Sequence, residues 1–192
     1  AANMSGMRSW RMTTFTSLAL DPSLLSALDA LEYTEMTPVQ ALSLPPILEK
    51  RDVIAQAPTG SGKTAAFGLG LIARLDPAQS SVQGIVLCPT RELADQVSKE
   101  IRRLASFVPN VKLLTLCGGI PLRPQLASLA HPPHIVVGTP GRIQELIDQG
   151  ALSLDAVRVF VLDEVDRMLD MGFQDAITSL LRQSPKSRQT LL

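Results

Sequence analysis

Short apolar runs alternate with helical patterns along most of this chain, and that alternation limits the folds open to it. The runs cover 52–57, 84–88, 112–117, 134–139 and 157–163, with the start of another at 190–192. Several are rich in Val, Ile and Leu without polar alternation, as strands buried on both faces are. Helical periodicity covers about 63–74, 90–107, 122–130, 140–149 and 174–183. Strand and helix in turn predict an α/β domain with a mostly parallel sheet and helices on both faces. Ligands in such folds gather beyond the carboxyl ends of the strands.

With 192 residues, 45% of them apolar, the chain is most simply one domain with an ordinary globular core. Residues 1–12 read as a disordered tail or cloning remnant, and 13–192 as the domain. The apolar run 65–73 is too short to span a bilayer, and no secretory signal is evident, so no membrane partner is expected. Basic and acidic residues balance at 18 each, which excludes a generic basic nucleic-acid binder. Aromatics at 4% exclude a broad base-stacking platform. Cys88 and Cys117 each end an apolar run and read as buried thiols in a reducing, cytoplasmic setting. His131 and His134 read as part of a loop entering a strand rather than as metal ligands.

Ala57-Pro58-Thr59-Gly60-Ser61-Gly62-Lys63-Thr64 follows one apolar run and opens a helical pattern. That is the context of a phosphate-binding loop, here with Ala in place of the usual first Gly. Glycines at 60 and 62 let successive N–H groups turn inward around an anion, aided by the helix N-terminus. Lys63 would reach the outer phosphates and Thr64 would offer its hydroxyl to Mg²⁺. The alternative is a Gly/Ser turn before Lys-Thr. Further on, 157–162 runs into Asp163-Glu164-Val165-Asp166. Carboxylates at the end of a buried strand suit the second half of such a site. Asp163 would hold Mg²⁺, and Glu164 would orient or deprotonate water. Alternatively, these acids open a short helix whose dipole favours them.

The order Thr37-Pro38-Val39-Gln40, the loop 57–64, Pro89-Thr90-Arg91-Glu92-Leu93-Ala94, Gly118-Gly119, Thr139-Pro140-Gly141-Arg142 and Asp163-Glu164-Val165-Asp166 resembles the first RecA-like domain of DEAD-box ATP-dependent RNA helicases, over residues 13–192. The stretches 87–97 and 114–119 are similar to the bacterial DbpA branch, which acts in ribosome assembly. The resemblance implies an RNA-stimulated ATPase, with ATP and Mg²⁺ as cofactors and with Lys63, Asp163 and Glu164 catalytic. It places Phe15, Tyr33 and Gln40 around adenine and Pro58, Thr59, Gly60, Ser61, Gly62, Lys63 and Thr64 on phosphate. Thr64 and Asp163 would serve the metal. Pro89, Thr90, Arg91, Gly118, Gly119, Thr139, Gly141 and Arg142 would grip an RNA backbone without reading bases, ribosomal RNA or a pre-ribosome being candidate targets.

Local chemistry offers rival roles. Thr37 to Gln40 also spells a helix capping box with Pro at the first helical position. Thr90 and Thr139 also fit ordinary helix starts. Three departures from the family pattern stand out. Val165 replaces Ala, and Glu32 replaces a frequent Gly. The sequence given ends at Leu192, just before the expected Ser-Ala-Thr that Asp166 normally engages. Strand separation would need a second RecA-like domain, whose arginines contribute roughly 10³–10⁵ in rate in comparable systems. Residues 1–192 alone are therefore expected to bind adenine nucleotides weakly and not to unwind RNA.

Overall fold

The computed structural model describes residues 14–192, so the expected tail at 1–12 lies outside the described residues. A short 3₁₀ turn, Phe15–Ser17, leads to α1 (Pro22–Ala30), α2 (Pro38–Leu48) and α3 (Lys63–Ala73). Then follow β1 (Gly84–Leu87), α4 (Arg91–Leu104), β2 (Leu113–Leu116), α5 (Leu122–Ser128) and β3 (Ile135–Gly138). The chain continues with α6 (Pro140–Asp148), β4 (Val159–Leu162), α7 (Val165–Asp170), α8 (Gln174–Gln183) and β5 (Gln189–Leu191).

The strands form one parallel sheet in the order β2-β3-β1-β4-β5, as the alternation predicts. The central strands β1, β3 and β4 are buried along their whole length, which accounts for their unbroken apolar sequences. Successive residues serve opposite faces. Val86, Val137 and Val161 pack with α1 to α4 in one cluster. Ile85, Val136, Phe160 and Leu162 pack with α6, α7 and α8 in the other. Period-2 alternation thus operates, but both faces are apolar.

The run 52–57 departs from expectation. Only Val53 pairs, with Leu191, and backbone bonds tie Val53 and Ala55 to Thr190 and Leu192. The segment lies along β5 as an edge without becoming a full strand, because its partner is only three residues long. Helix α1 has no counterpart among the helical patterns read above, α7 is the short helix that the acidic stretch opens, and α2 is foreseen only by its first turn. In α2, Pro45 and Pro46 read locally as breakers, yet the helix runs through them. Burial of Leu44 and Ile47 on either side favours keeping that turn.

Two side-chain expectations resolve locally. The His134 ring is held by backbone: its Nδ1 accepts from the Lys112 N–H at 3.0 Å and its Nε2 faces the Pro77 carbonyl at 3.0 Å. Cys88 and Cys117 are free, buried thiols. Burial pushes Cys117 up to about 11, and Cys88 still higher, so both remain protonated. No helix among the described residues is long and apolar enough to cross a membrane.

Candidate nucleotide site and adjoining loop cluster

The loop 57–64 leaves the edge segment beside β5 and enters α3 at Lys63. Gly60 (φ 81°) and Gly62 (φ 93°) both occupy the left-handed region, as the Gly-x-Gly spacing predicts. Gly62 is further confined by α2. A Cβ there would lie 2.5 Å from Gln40 Nε2, so no side chain fits without moving Gln40. The Ser61 hydroxyl is buried without a hydrogen-bond partner among the described residues. Lys63 forms no ion pair among the described residues, so its ammonium is uncommitted.

Gln40 sits at the start of α2 and completes the capping box read from sequence. Its backbone N–H approaches Thr37 Oγ1 at 3.5 Å, and its Oε1 accepts from the Thr37 N–H at 2.9 Å. Its Nε2 also donates to the Gly62 carbonyl at 3.1 Å. This second bond was not legible in sequence, since the partners are 22 residues apart. The cap therefore also tethers the loop.

At the end of β4, Asp163 is 8% exposed and its N–H donates to the Leu87 carbonyl. Burial raises the Asp163 carboxyl above its ordinary value, the nearby Lys63 charge pulls it back, and Glu164 raises it again. Glu164 has φ 52°, a left-handed conformation unusual for a non-glycine residue. It precedes α7 and pairs with Arg167 at 3.4 Å. Both readings of the acidic stretch therefore hold at once: carboxylates at a strand end, and the opening of a short helix. Val165 is half-buried and packs against the second cluster. Its extra methyl groups thus meet a partly open surface.

These residues face two cavities. One, of ≈ 1020 Å³, extends from Phe15, Tyr33 and Gln40 past Gly60, Gly62, Lys63 and Thr64 to Asp163 and Glu164. The other, of ≈ 750 Å³, lies across the loop, between Pro58, Thr59 and Lys63 on one side and Val53 and Leu191 on the other. The first brings together most of the residues expected around base, phosphate and metal, while Pro58 lines the second and Lys63, Asp163 and Glu164 line both. Phe15 reaches the first cavity although 97% of its surface is buried in the first cluster, its exposure being 3%. Tyr33 donates from its hydroxyl to Glu100 Oε1 at 2.9 Å, which joins the cavity wall to α4. Burial and that bond to Glu100 raise the phenol above its ordinary value. Glu32, at the family's glycine position, has φ 58°. A glycine there would carry this conformation without strain.

The other predicted residues gather at the ends of β1, β2 and β3. Thr90 caps α4, accepting from the Leu93 N–H at 3.2 Å. Arg91 is half-exposed, with Glu92 3.9 Å away. Pro89, just past the end of β1, is buried. Thr139 does not cap α6; its hydroxyl accepts from the Gly118 N–H at 3.0 Å and so ties two strand ends together. Gly119 (φ 78°) and Gly141 are exposed. Arg142, expected on an RNA backbone, lies in the first turn of α6. Its side chain is 10% exposed and bound to Glu145, Gln125 and the Ile120 carbonyl. Glu100, Gln125 and Glu145 had no sequence signal, because each matters only through a partner brought near by folding.

Comparison with known proteins agrees with this geometry. The family profile described as DEAD/DEAH box helicase matches residues 37–192. The chain is 58% identical over 182 residues to "ATP-dependent RNA helicase DbpA" of Escherichia coli, covering 94% of this chain and 40% of that protein. It is 45% identical to "DEAD-box ATP-dependent RNA helicase CshA" of Geobacillus kaustophilus, covering 94% of this chain and 38% of that one. Among solved structures, a DEAD box protein from Methanococcus jannaschii superposes with a TM-score of 0.87 at 38% identity, covering 93% of this chain and 49% of that one. S. cerevisiae dbp5 bound to gle1 and ip6 superposes with a TM-score of 0.84 at 32% identity, covering 94% and 46%. The chain thus spans less than half the length of the relatives it matches.

Proposed function

The chain belongs to the DEAD/DEAH box helicase family, and on that premise we propose that it is the ATP- and RNA-binding domain of an ATP-dependent RNA helicase. The observation that carries this is one cavity whose walls supply an anion cradle, two carboxylates and an amide-and-aromatic end. The residues present fit a magnesium nucleotide. The orphaned Ser61 hydroxyl, the uncommitted Lys63 and the left-handed glycines leave donors without partners around the loop.

Lys63 and the backbone of residues 58–62 would hold the phosphates, with Thr64 and Asp163 serving Mg²⁺. Bound Mg²⁺ would offset charge on the phosphate oxygens. Glu164 would accept a proton from, or orient, the attacking water. Gln40, with Tyr33 and Phe15 beside it, would discriminate adenine by donating and accepting along one base edge. Each end of the Gln40 amide keeps a second hydrogen-bonding position, so the side chain would hold Gly62 and Thr37 while facing the base, which links base recognition to the loop. The loop cluster would hold an RNA backbone through Thr90, Arg91, Gly118, Gly119 and Gly141. Joined to a second RecA-like domain, this half would couple nucleotide binding and hydrolysis to local strand separation. The likeness of 87–97 and 114–119 to the DbpA branch supports ribosomal or pre-ribosomal RNA as the target. The two free thiols support a cytoplasmic setting.

Titration of the chain with a fluorescent ATP analogue and Mg²⁺ tests the nucleotide reading. ATP should displace the analogue better than GTP, and Gln40→Ala should erase the difference. Equal displacement by GTP and ATP in the native chain would overturn the adenine assignment.

A further inference from the structure

We propose that Gln125 is a positioning residue for RNA, and that it does so by locking Arg142 to the 117–120 turn. Arg142 then shapes that turn rather than contacting phosphate itself. This rests on the reading that the loop cluster at the ends of β1 to β3 holds an RNA backbone.

Gln125 lies on α5 and is 6% exposed. Both ends of its amide are engaged. Nε2 donates to the Cys117 carbonyl at 3.0 Å, and Oε1 accepts from Arg142 Nη1 at 3.0 Å. Arg142 Nη2 donates to the Ile120 carbonyl at 3.0 Å, and its Nε to Glu145 Oε2 at 2.9 Å. The pair therefore grips the turn at both ends, through Cys117 and Ile120. Thr139 holds its middle, through the Gly118 N–H. What remains presented is Gly119: exposed, left-handed, with an N–H that makes no hydrogen bond among the described residues. A backbone N–H held in a left-handed turn is a donor suited to phosphate oxygen.

The environment of Arg142 also argues against a direct phosphate contact. A carboxylate at 2.9 Å compensates its charge, and only 10% of its side chain is exposed. Arg91, by contrast, is 49% exposed and has its carboxylate at 3.9 Å. A side chain that neutralises a phosphate releases counterions and steepens the salt dependence of binding; one that only positions a loop does not. The two roles are separable by experiment.

Two readouts on the 192-residue chain decide the matter. The first is exchange of the Gly118 amide, which the Thr139 hydroxyl protects, without RNA. Gln125→Ala and Arg142→Lys should each speed it roughly tenfold, as expected for a lost hydrogen bond to a charged group. Arg142→Lys keeps the charge but cannot fork between two carbonyl partners. The second readout is affinity for a single-stranded RNA oligonucleotide across a salt series. Gln125→Ala and the charge-removing Arg142→Ala should bind more weakly with the salt slope unchanged, whereas Arg91→Ala should reduce the slope by about 1. Glu145→Gln, at a surface position, should also leave the slope unchanged.

Unaltered exchange in both Gln125→Ala and Arg142→Lys would overturn the proposal. So would a slope that steepens in Glu145→Gln, or one that drops in Arg142→Ala as it does in Arg91→Ala. Failure of the native chain to bind RNA would instead remove the RNA reading, while amide exchange would still decide whether the brace exists. Should Gln125→Ala not fold, the Arg142→Lys and Glu145→Gln results stand by themselves.

Discussion

The two functional regions lie along the same edge of one sheet but manage their polar groups in opposite ways. Around the loop 57–64, polar groups are left uncommitted: Ser61 has no partner and Lys63 no ion pair among the described residues. Around the ends of β1 to β3, nearly every polar side chain is already bound within the protein. Thr90, Thr139, Gln125 and Arg142 all hold backbone groups. Arg91 and small exposed backbone turns remain available. The first region is built to be completed by a charged ligand. The second is built to present a fixed backbone shape, which suits recognition that ignores sequence. One interaction breaks the pattern, the Gln40 bond to Gly62, which gives the open region an internal restraint.

The contrast can be broken most forcefully at Lys63. Removing an uncommitted cation should cost ligand affinity but little stability. Lys63→Ala should weaken binding of the ATP analogue about 100-fold, the effect of losing charge-assisted bonds to phosphate. Its chemical denaturation midpoint should stay near that of the native chain.

Next in size is Gly62→Ala. It combines a left-handed backbone with a contact on Gln40, and should destabilise the fold by about 2 kcal/mol. Denaturant unfolding measures that loss. On the other side of the comparison, Thr139→Val preserves shape but leaves the Gly118 N–H without its acceptor. Stability should fall by about 1 kcal/mol, while affinity for the ATP analogue stays unchanged. Loss of nucleotide affinity in Thr139→Val would show that the two regions are not independent.

Smaller effects sharpen the picture. Glu32→Gly should stabilise by about 0.5 kcal/mol, since relief of left-handed strain outweighs the entropy that glycine adds to the unfolded chain. Asp163→Asn should raise the melting temperature slightly at neutral pH. The Asp163 carboxyl is raised in the folded state, so the fold binds its proton more tightly than the unfolded chain does. Stability from this group is therefore full below its unfolded value and is lost as pH rises through its folded one. Asparagine removes that loss, so the gain over native should vanish in acid. The same substitution should abolish Mg²⁺-dependent nucleotide binding. For the native chain, Mg²⁺-dependent binding should fail on acidification sooner than an ordinary carboxylate would dictate.

Much of this was readable before folding because the signals are short-range. Apolar runs that ignore period two announce strands buried on both faces, as β1, β3 and β4 are. Gly60, Gly62 and Lys63 announce their own backbone geometry, since left-handed angles and helix starts depend on immediate neighbours. Asp163 and Glu164 announce a strand end for the same reason. The failures have a common cause too. Helix α2 is legible only at its first turn, since Pro45 and Pro46 disfavour a helix locally while the buried Leu44 and Ile47 hold it in the core. The run 52–57 reads as a full strand, but pairing depends on how much partner strand lies beside it.

By itself, then, the sequence determined the α/β alternation, the phosphate-type loop and the order of motifs that marks the family. The first two rest on propensity, periodicity or spacing within a few residues, and the third on resemblance to the family. Tertiary structure alone decided what those residues touch. Gln40 reaches Gly62 across 22 positions, Tyr33 reaches Glu100 across 67, and Arg142 turns inward to Gln125 across 17. Such partners depend on strand order and helix packing, which no local pattern specifies, and they divide the molecule into a site awaiting charge and a surface already braced.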